Sequence, residues 1–97
     1  MATYVTLIDY TQKGLDTIKE SPQRAAAFRE SAGRAGITVK ELYWTTGGHD
    51  GVLITEGEDE KAIMALLLTL GRAGHVRTKT LRAFAQQEMK EILDRTT

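Results

Sequence analysis

An α+β fold, with elements alternating as β-α-β-β-α-β and a last helix appended, is what this sequence predicts. Three observations carry the prediction. Four runs rich in β-branched and aromatic residues are separated by two longer segments with helical apolar spacing. The second and third runs adjoin across the glycine-dense turn Gly47-Gly48-His49-Asp50-Gly51, which is too short to hold a helix. The first and third runs carry almost no charge and the second and fourth are charged, which separates two central strands from two edges.

At 97 residues the chain has the size of one domain, residues 1–97. A chain of this length buries roughly two-thirds of its unfolded surface, so its core is thin. A hydrophobic content of 41% and a charged content of 27% belong to a folded globular protein rather than a disordered one. Thirteen basic and thirteen acidic residues cancel, so the basic footprint that nucleic-acid binding needs is missing. With no cysteine, disulfides and thiolate metal sites are excluded, and a reducing compartment fits. The N-terminus enters a strand-like run without a leader pattern, and no apolar stretch approaches the ~20 residues that span a bilayer. The expectation is a cytoplasmic protein with no membrane and no nucleic-acid partner.

The elements follow in order. Residues 3–8, Thr3 to Ile8, are β-branched, aromatic and uncharged up to Asp9, which suits a central strand. Thr11 caps a first helical piece over residues 12–20, weakened by Gly14. Ser21-Pro22 reads as a capping hydroxyl followed by proline at the first helical position, opening a second piece over residues 22–35. Its apolar stripe is alanine-rich, with Phe28 as the main plug against the sheet, and Gly36 ends it. Residues 38–46 form the second strand, with Leu42 and Trp44 on one face and Val39, Tyr43 and Thr45 on the other. Lys40 and Glu41 suit an edge.

Residues 51–55 form a short uncharged third strand. Glu56, Glu58, Asp59 and Glu60 precede the second helix and complement its dipole. Ala62, Ile63, Leu66, Leu67 and Leu70 then give the strongest apolar stripe in the chain, ended by Gly71 and Gly74. Residues 76–84 alternate Arg77, Lys79 and Arg82 with Val76, Thr78, Thr80 and Phe84, a charge-protected edge strand. Residues 86–95 read as a short helix with Met89, Ile92 and Leu93 on one side.

This order is the ferredoxin-like arrangement: a four-stranded antiparallel sheet, strand order 4-1-3-2, with two helices on one face and the C-terminal helix appended. Helices cover only one face, yet apolar residues stand on both. An uncovered apolar face on a small domain predicts a partner, and a second copy is the simplest one. A homodimer with its sheets face to face, or a higher homo-oligomer, is therefore expected.

The run Thr3-Tyr4-Val5-Thr6-Leu7-Ile8-Asp9-Tyr10-Thr11, the segment Ile18-Lys19-Glu20-Ser21-Pro22 and the ending Val76-Arg77-Thr78-Lys79-Thr80-Leu81-Arg82-Ala83-Phe84 resemble the GYD-domain family. The Gly-Tyr-Asp motif of that family lies at the second hairpin, where this chain has Gly48-His49-Asp50. The resemblance covers nearly the whole chain. It implies the dimeric α+β-barrel superfamily, in accord with the expected homodimer, and implies no one reaction.

Topology gathers three connections at one end of the sheet, bringing His49, Asp50 and His75 near Asp9 and Tyr10. His49, Asp50 and His75 are the catalytic candidates, since imidazole titrates near neutral pH and a carboxylate can orient it. The plainer roles are turn chemistry for Asp50, a turn tip or interface for His49 and a helix C-terminus for His75. No metal site and no cofactor are predicted. Tyr4, Asp9, Tyr10, Tyr43, Trp44, Thr78, Thr80 and Arg82 are the ligand candidates. Tyr4, Tyr43, Trp44, Thr78, Thr80 and Arg82 would line the space between the two sheets of a dimer, subject to strand register. A small-molecule-binding or regulatory module is the leading function. The superfamily resemblance implies a cofactor-independent isomerase or oxygenase as the alternative, and an assembly protein without a ligand is the third reading.

Overall fold

A computed structural model of the chain describes all of residues 1–97. Its elements are β1 (Ala2–Tyr10), α1 (Gln12–Asp16), a 3₁₀ turn (Ile18–Glu20), α2 (Ser21–Arg34), β2 (Thr38–Trp44), β3 (Gly51–Gly57), α3 (Glu60–Arg72), β4 (Val76–Ala83) and α4 (Gln86–Leu93). The four strands form one sheet in the order β2-β3-β1-β4, with every neighbouring pair antiparallel. The two nearly uncharged runs are central and the two charged runs are edges, the partition that charge alone predicts.

Register assigns the faces. Tyr4, Thr6, Ile8 and Tyr10 of β1 share a side with Thr55, Leu53 and Gly51 of β3 and with Arg82, Thr80, Thr78 and Val76 of β4. This is the helix-covered side. Along β3, Gly51, Leu53, Thr55 and Gly57 are buried, while Val52, Ile54 and Glu56 between them are half-exposed. Ala32 of α2, Ile37 and Ile63 of α3 form the centre of the core, with Tyr4, Val39, Leu66 and Leu67 packed around them. Thr6, buried beneath the helices, settles its hydroxyl on Thr80 Oγ1 at 2.9 Å. Only ten of 97 residues are buried, so one copy leaves much of its apolar surface in water.

Several local expectations change. A bulge between Val39 and Glu41 resets the alternation of β2, so Val39 joins Leu42 and Trp44 on the covered side instead of opposing them. Ser21 is the first residue of α2 rather than its cap: Glu20 holds the cap position and makes no side-chain capping bond. The Ser21 hydroxyl is thereby free for a tertiary contact. Strand β2 stops at Trp44, and β3 runs two residues further than predicted, to Gly57, where a Cβ would meet Ile63 Cδ1 at 3.3 Å. Gly71 lies inside α3, and the left-handed Gly74 (φ 86°) follows its end. At the other end Asp59 caps α3, accepting the Lys61 and Ala62 amides at 3.0 and 3.2 Å. Such a cap contributes about 1 kcal/mol.

The opposite face of the sheet has no helix. Val5, Leu7, Val52, Ile54 and Leu81 stand there by register, with Tyr43 and Glu41 on β2 joined by a 2.8 Å hydrogen bond. Helix α4 stands apart from the two layers, and the molecule is elongated, 50 × 32 × 19 Å. Its anchor is Glu88, whose carboxylate accepts the Ala85 amide at 2.9 Å and meets Arg82 Nη2 at 3.4 Å. Those two contacts, the amide bond first, hold the Glu88 carboxyl below its usual range. No helix is long and apolar enough to cross a membrane.

Candidate functional site

Between α2, α3 and the covered side of the sheet lies an apolar cleft of roughly 310 Å³. Its existence follows from the composition of α2. That helix faces the sheet with alanines, which are too short to fill the space, and its one large apolar residue, Phe28, lines the cleft rather than plugging it. The floor is Ile8 and Tyr10 of β1, Leu42 and Trp44 of β2, Leu53 of β3 and Val76 of β4. Leu66 and Leu70 of α3 close the other wall. The volume falls at the small end of ligand pockets, and the lining is mostly apolar with a few polar groups at one end, as in such pockets generally.

Those polar groups form a chain. The Trp44 indole donates to the Tyr10 hydroxyl at 3.0 Å, the Tyr10 hydroxyl lies 2.6 Å from Ser21 Oγ, and Arg24 Nη2 donates to Ser21 Oγ at 3.4 Å. Arg24 also donates from Nη1 to Thr17 Oγ1 at 3.2 Å and faces Glu20 at 4.0 Å. His75 completes this end of the cleft. Its ring is held below the ordinary histidine range, first by burial and then by the positive charges of Arg24 and Lys13. The neutral imidazole is therefore the favoured form near pH 7.

His75 is positioned from α1. Its carbonyl accepts the Thr11 amide at 3.1 Å, and Gly14 packs so close that a Cβ there would collide with the same carbonyl oxygen. Gly14 is thus a place of close approach, and its weakening of α1 is the cost of that packing. Thr11 and Lys13 add side-chain bonds to the carbonyls of Gly74 and Ala73.

The other predicted residues fall into separate places. The connections do meet at one end of the sheet, where Asp50 Oδ2 accepts the Tyr10 amide at 2.8 Å and the Asp50 amide donates to the Ile8 carbonyl. The two histidines nevertheless do not form one cluster. His49 Nδ1 lies 3.2 Å from both oxygens of Asp9, whose side of β1 is the open one, whereas His75 lines the cleft under the helices. No three acidic or histidine side chains converge as a metal site would require.

Tyr4, Thr78, Thr80 and Arg82 border a second groove between α3 and β4, with Glu60, Met64 and Leu68. Arg82 stacks there over Phe84 at 4.3 Å and faces Tyr4 at 5.7 Å. The Tyr4 hydroxyl is buried without a hydrogen bond, and burial, then Glu60, push its pKa up. Tyr43 points to the open face, bound to Glu41, which raises its pKa. Five of the six residues expected to line an intersheet space therefore stand under or beside the helices. A shared strand alternation with the bulge of β2 decides this, and only register reveals it. Ser21, Phe28, Leu66 and Leu70 line the cleft although the sequence alone assigns them to capping or core, and Arg24 joins them with no local signal to mark it.

The model of the GYD domain matches residues 4–93. The chain belongs to the GYD-domain family. No curated protein matches this GYD domain in sequence. Solved structures share its fold. MtbAldR superposes with a TM-score of 0.67 at 12% identity, over 88% of this chain and 52% of its own length. A feast or famine regulatory protein from M. tuberculosis, solved with L-methionine, gives 0.65 at 17%, over 89% and 52%. The GYD domain thus spans about half the length of these two proteins. A protein from Thermus thermophilus gives 0.56 at 25% identity, over 88% of this chain and 95% of its own.

Proposed function

We propose that this GYD domain is a small-molecule-binding, regulatory module that works as a cytoplasmic homodimer and takes its ligand in the cleft between the sheet and helices α2 and α3. The observation that carries the reading is the cleft itself: apolar along its length, with the Trp44, Tyr10, Ser21 and Arg24 chain at one end. An assembly protein has no need of such a space, because filling it would stabilise the fold by burying more apolar surface. One relative of the same fold is a regulatory protein that holds L-methionine, which agrees with a ligand-reading role.

The second copy belongs on the open face, giving a dimeric α/β barrel. Val5, Leu7, Val52, Ile54 and Leu81 form one apolar patch rimmed by charge. The projecting α4, with Met89 and Leu93 about half exposed, supplies an arm to lie on the partner. The enzymatic alternative, an isomerase or oxygenase, asks for a histidine beside a carboxylate in a closed pocket. Here His49 has its carboxylate partner, Asp9, on the open side of β1, whereas His75 and Asp50 both line the cleft but share no hydrogen bond, Asp50 being turned to the Tyr10 amide.

Trp44 is the chain's single tryptophan and lines the cleft, so its fluorescence reports occupancy directly. Titration with a panel of small apolar compounds is expected to produce saturable changes that Ala25→Phe, which fills the cleft from α2, abolishes. Saturation that survives Ala25→Phe in a folded variant places the ligand elsewhere and contradicts the reading.

A further inference from the structure

The polar end of the cleft has more hydrogen-bond donors than acceptors. The Trp44 indole and the Arg24 guanidinium can only donate. The first donates to Tyr10 Oη and the second to Ser21 Oγ, so donors close both ends of the chain. The two hydroxyls share one hydrogen bond at 2.6 Å, which uses one of their two protons. The remaining hydroxyl proton has no acceptor in the protein. Both hydroxyls face the cleft, and Ser21 is 8% exposed. Both hydroxyl oxygens have partners, but the second proton finds no protein acceptor at the end of a mostly apolar cleft, so this end favours a ligand that brings one.

Charge points the same way. Arg24 lines the cleft, and its contact with Glu20 is a long 4.0 Å to a side chain that is 60% exposed, which leaves the guanidinium under-neutralised. Asp50, the acid on the cleft wall, turns one oxygen to the Tyr10 amide. His75 brings no competing negative charge. The rest of the lining is mostly apolar, with Phe28, Leu42, Leu53, Leu66 and Leu70; of the two helix hydroxyls in it, Ser31 and Thr69, the second donates to the Ala65 carbonyl of its own helix.

Resting on the reading of the cleft as a ligand site, we infer that its ligand is a compact apolar monocarboxylic acid, carboxylate against Arg24 and the Tyr10–Ser21 pair, body between Phe28 and the leucines. One carboxylate oxygen takes the spare hydroxyl proton and the other the guanidinium. Such charge-assisted bonds are about twice as strong as neutral ones, and the guanidinium fork suits a carboxylate.

The test uses three probes with one body: hydrocinnamate, hydrocinnamamide and phenylpropylamine, each titrated against the full chain by Trp44 fluorescence. The acid is expected to bind about tenfold more tightly than the amide, and the amine more weakly still. Arg24→Met should lower the acid to the level of the amide without changing the amide, and Arg24→Lys should restore part of the difference. Equal affinity for acid and amide, preference for the amine, or an acid preference that survives Arg24→Met overturns the carboxylate assignment while the cleft stands as a site for apolar molecules. No response to any of the three, in a chain that remains folded, overturns both.

Discussion

The Trp44 indole of edge strand β2 donates to the Tyr10 hydroxyl of central strand β1 at 3.0 Å, across the intervening strand β3. The residue of β3 opposite Trp44, and opposite Ile8 on the other side, is Gly51. A glycine leaves the path over β3 open, so the indole and the phenol meet above it and together make the floor of the cleft. Tyr10→Phe is expected to remove this bond together with the one to Ser21, at a cost of about 1–3 kcal/mol for the two, read from urea unfolding. Lower fluorescence anisotropy at Trp44 should accompany it. A variant with unchanged stability and unchanged anisotropy would show that the bond does not order the site.

Two glycine substitutions should have opposite signs. Gly14→Ala drives a methyl into the His75 carbonyl oxygen and to 2.9 Å from the Tyr10 ring, so backbone must move. A loss of about 3 kcal/mol is expected, at the upper end of overpacking costs. Gly33 lies within α2 with nothing within 4 Å of its missing Cβ, and Gly33→Ala should stabilise by about 0.5–1 kcal/mol through helix propensity. Thermal or urea melts of the two variants measure both.

His75 gives a pH dependence of definite sign. Its folded pKa lies below the ordinary 6.5, so over that interval the unfolded chain binds the extra proton. Stability from this group is complete above about pH 6.5 and falls as pH drops toward the folded pKa. Compared with His75→Asn, the wild type should lose melting temperature between neutral and mildly acidic pH. Parallel curves for the two proteins would contradict the burial assigned to the ring.

The open face makes a prediction about assembly. Ile54 lies at its centre, paired with Val5 on one side and Glu41 on the other. Ile54→Lys should prevent the proposed dimer by placing a desolvated charge at the contact, with little change in the isolated fold because the side chain is half-exposed there. Sedimentation of wild type and variant at micromolar concentration decides it; a monomeric wild type would contradict the dimer.

Much of this fold is legible in the chain because the signals are local and agree. Charge separates edges from centres, and the stripe from Ala62 to Leu70 marks α3. The site is harder to read for equally physical reasons. Ser21 before Pro22 has the form of a helix cap, and nothing local shows that its hydroxyl turns to Tyr10 instead. Arg24 looks like any exposed helical arginine until His75 and Thr17 are brought beside it. One bulged residue at Lys40 moves Val39 across the sheet. Tyr10, Trp44 and His75 are recognisable as candidates, but their common side depends on register. The cleft itself is an absence, alanines where larger residues would fill space, and becomes visible only once α2 is laid on the sheet.

Where a ligand sits can be read from a proton–nitrogen correlation spectrum of the isotopically labelled protein, titrated with hydrocinnamate and with its amide. The single indole cross-peak of Trp44 serves as an internal marker. Shifts are expected at that indole and at the amides of Ser21, Arg24, Gly51 and His75, with Leu7, Ile54 and Leu81 on the open face unaffected. Shifts confined to the open-face strands, with the Trp44 indole unmoved, would contradict a ligand site under the helices.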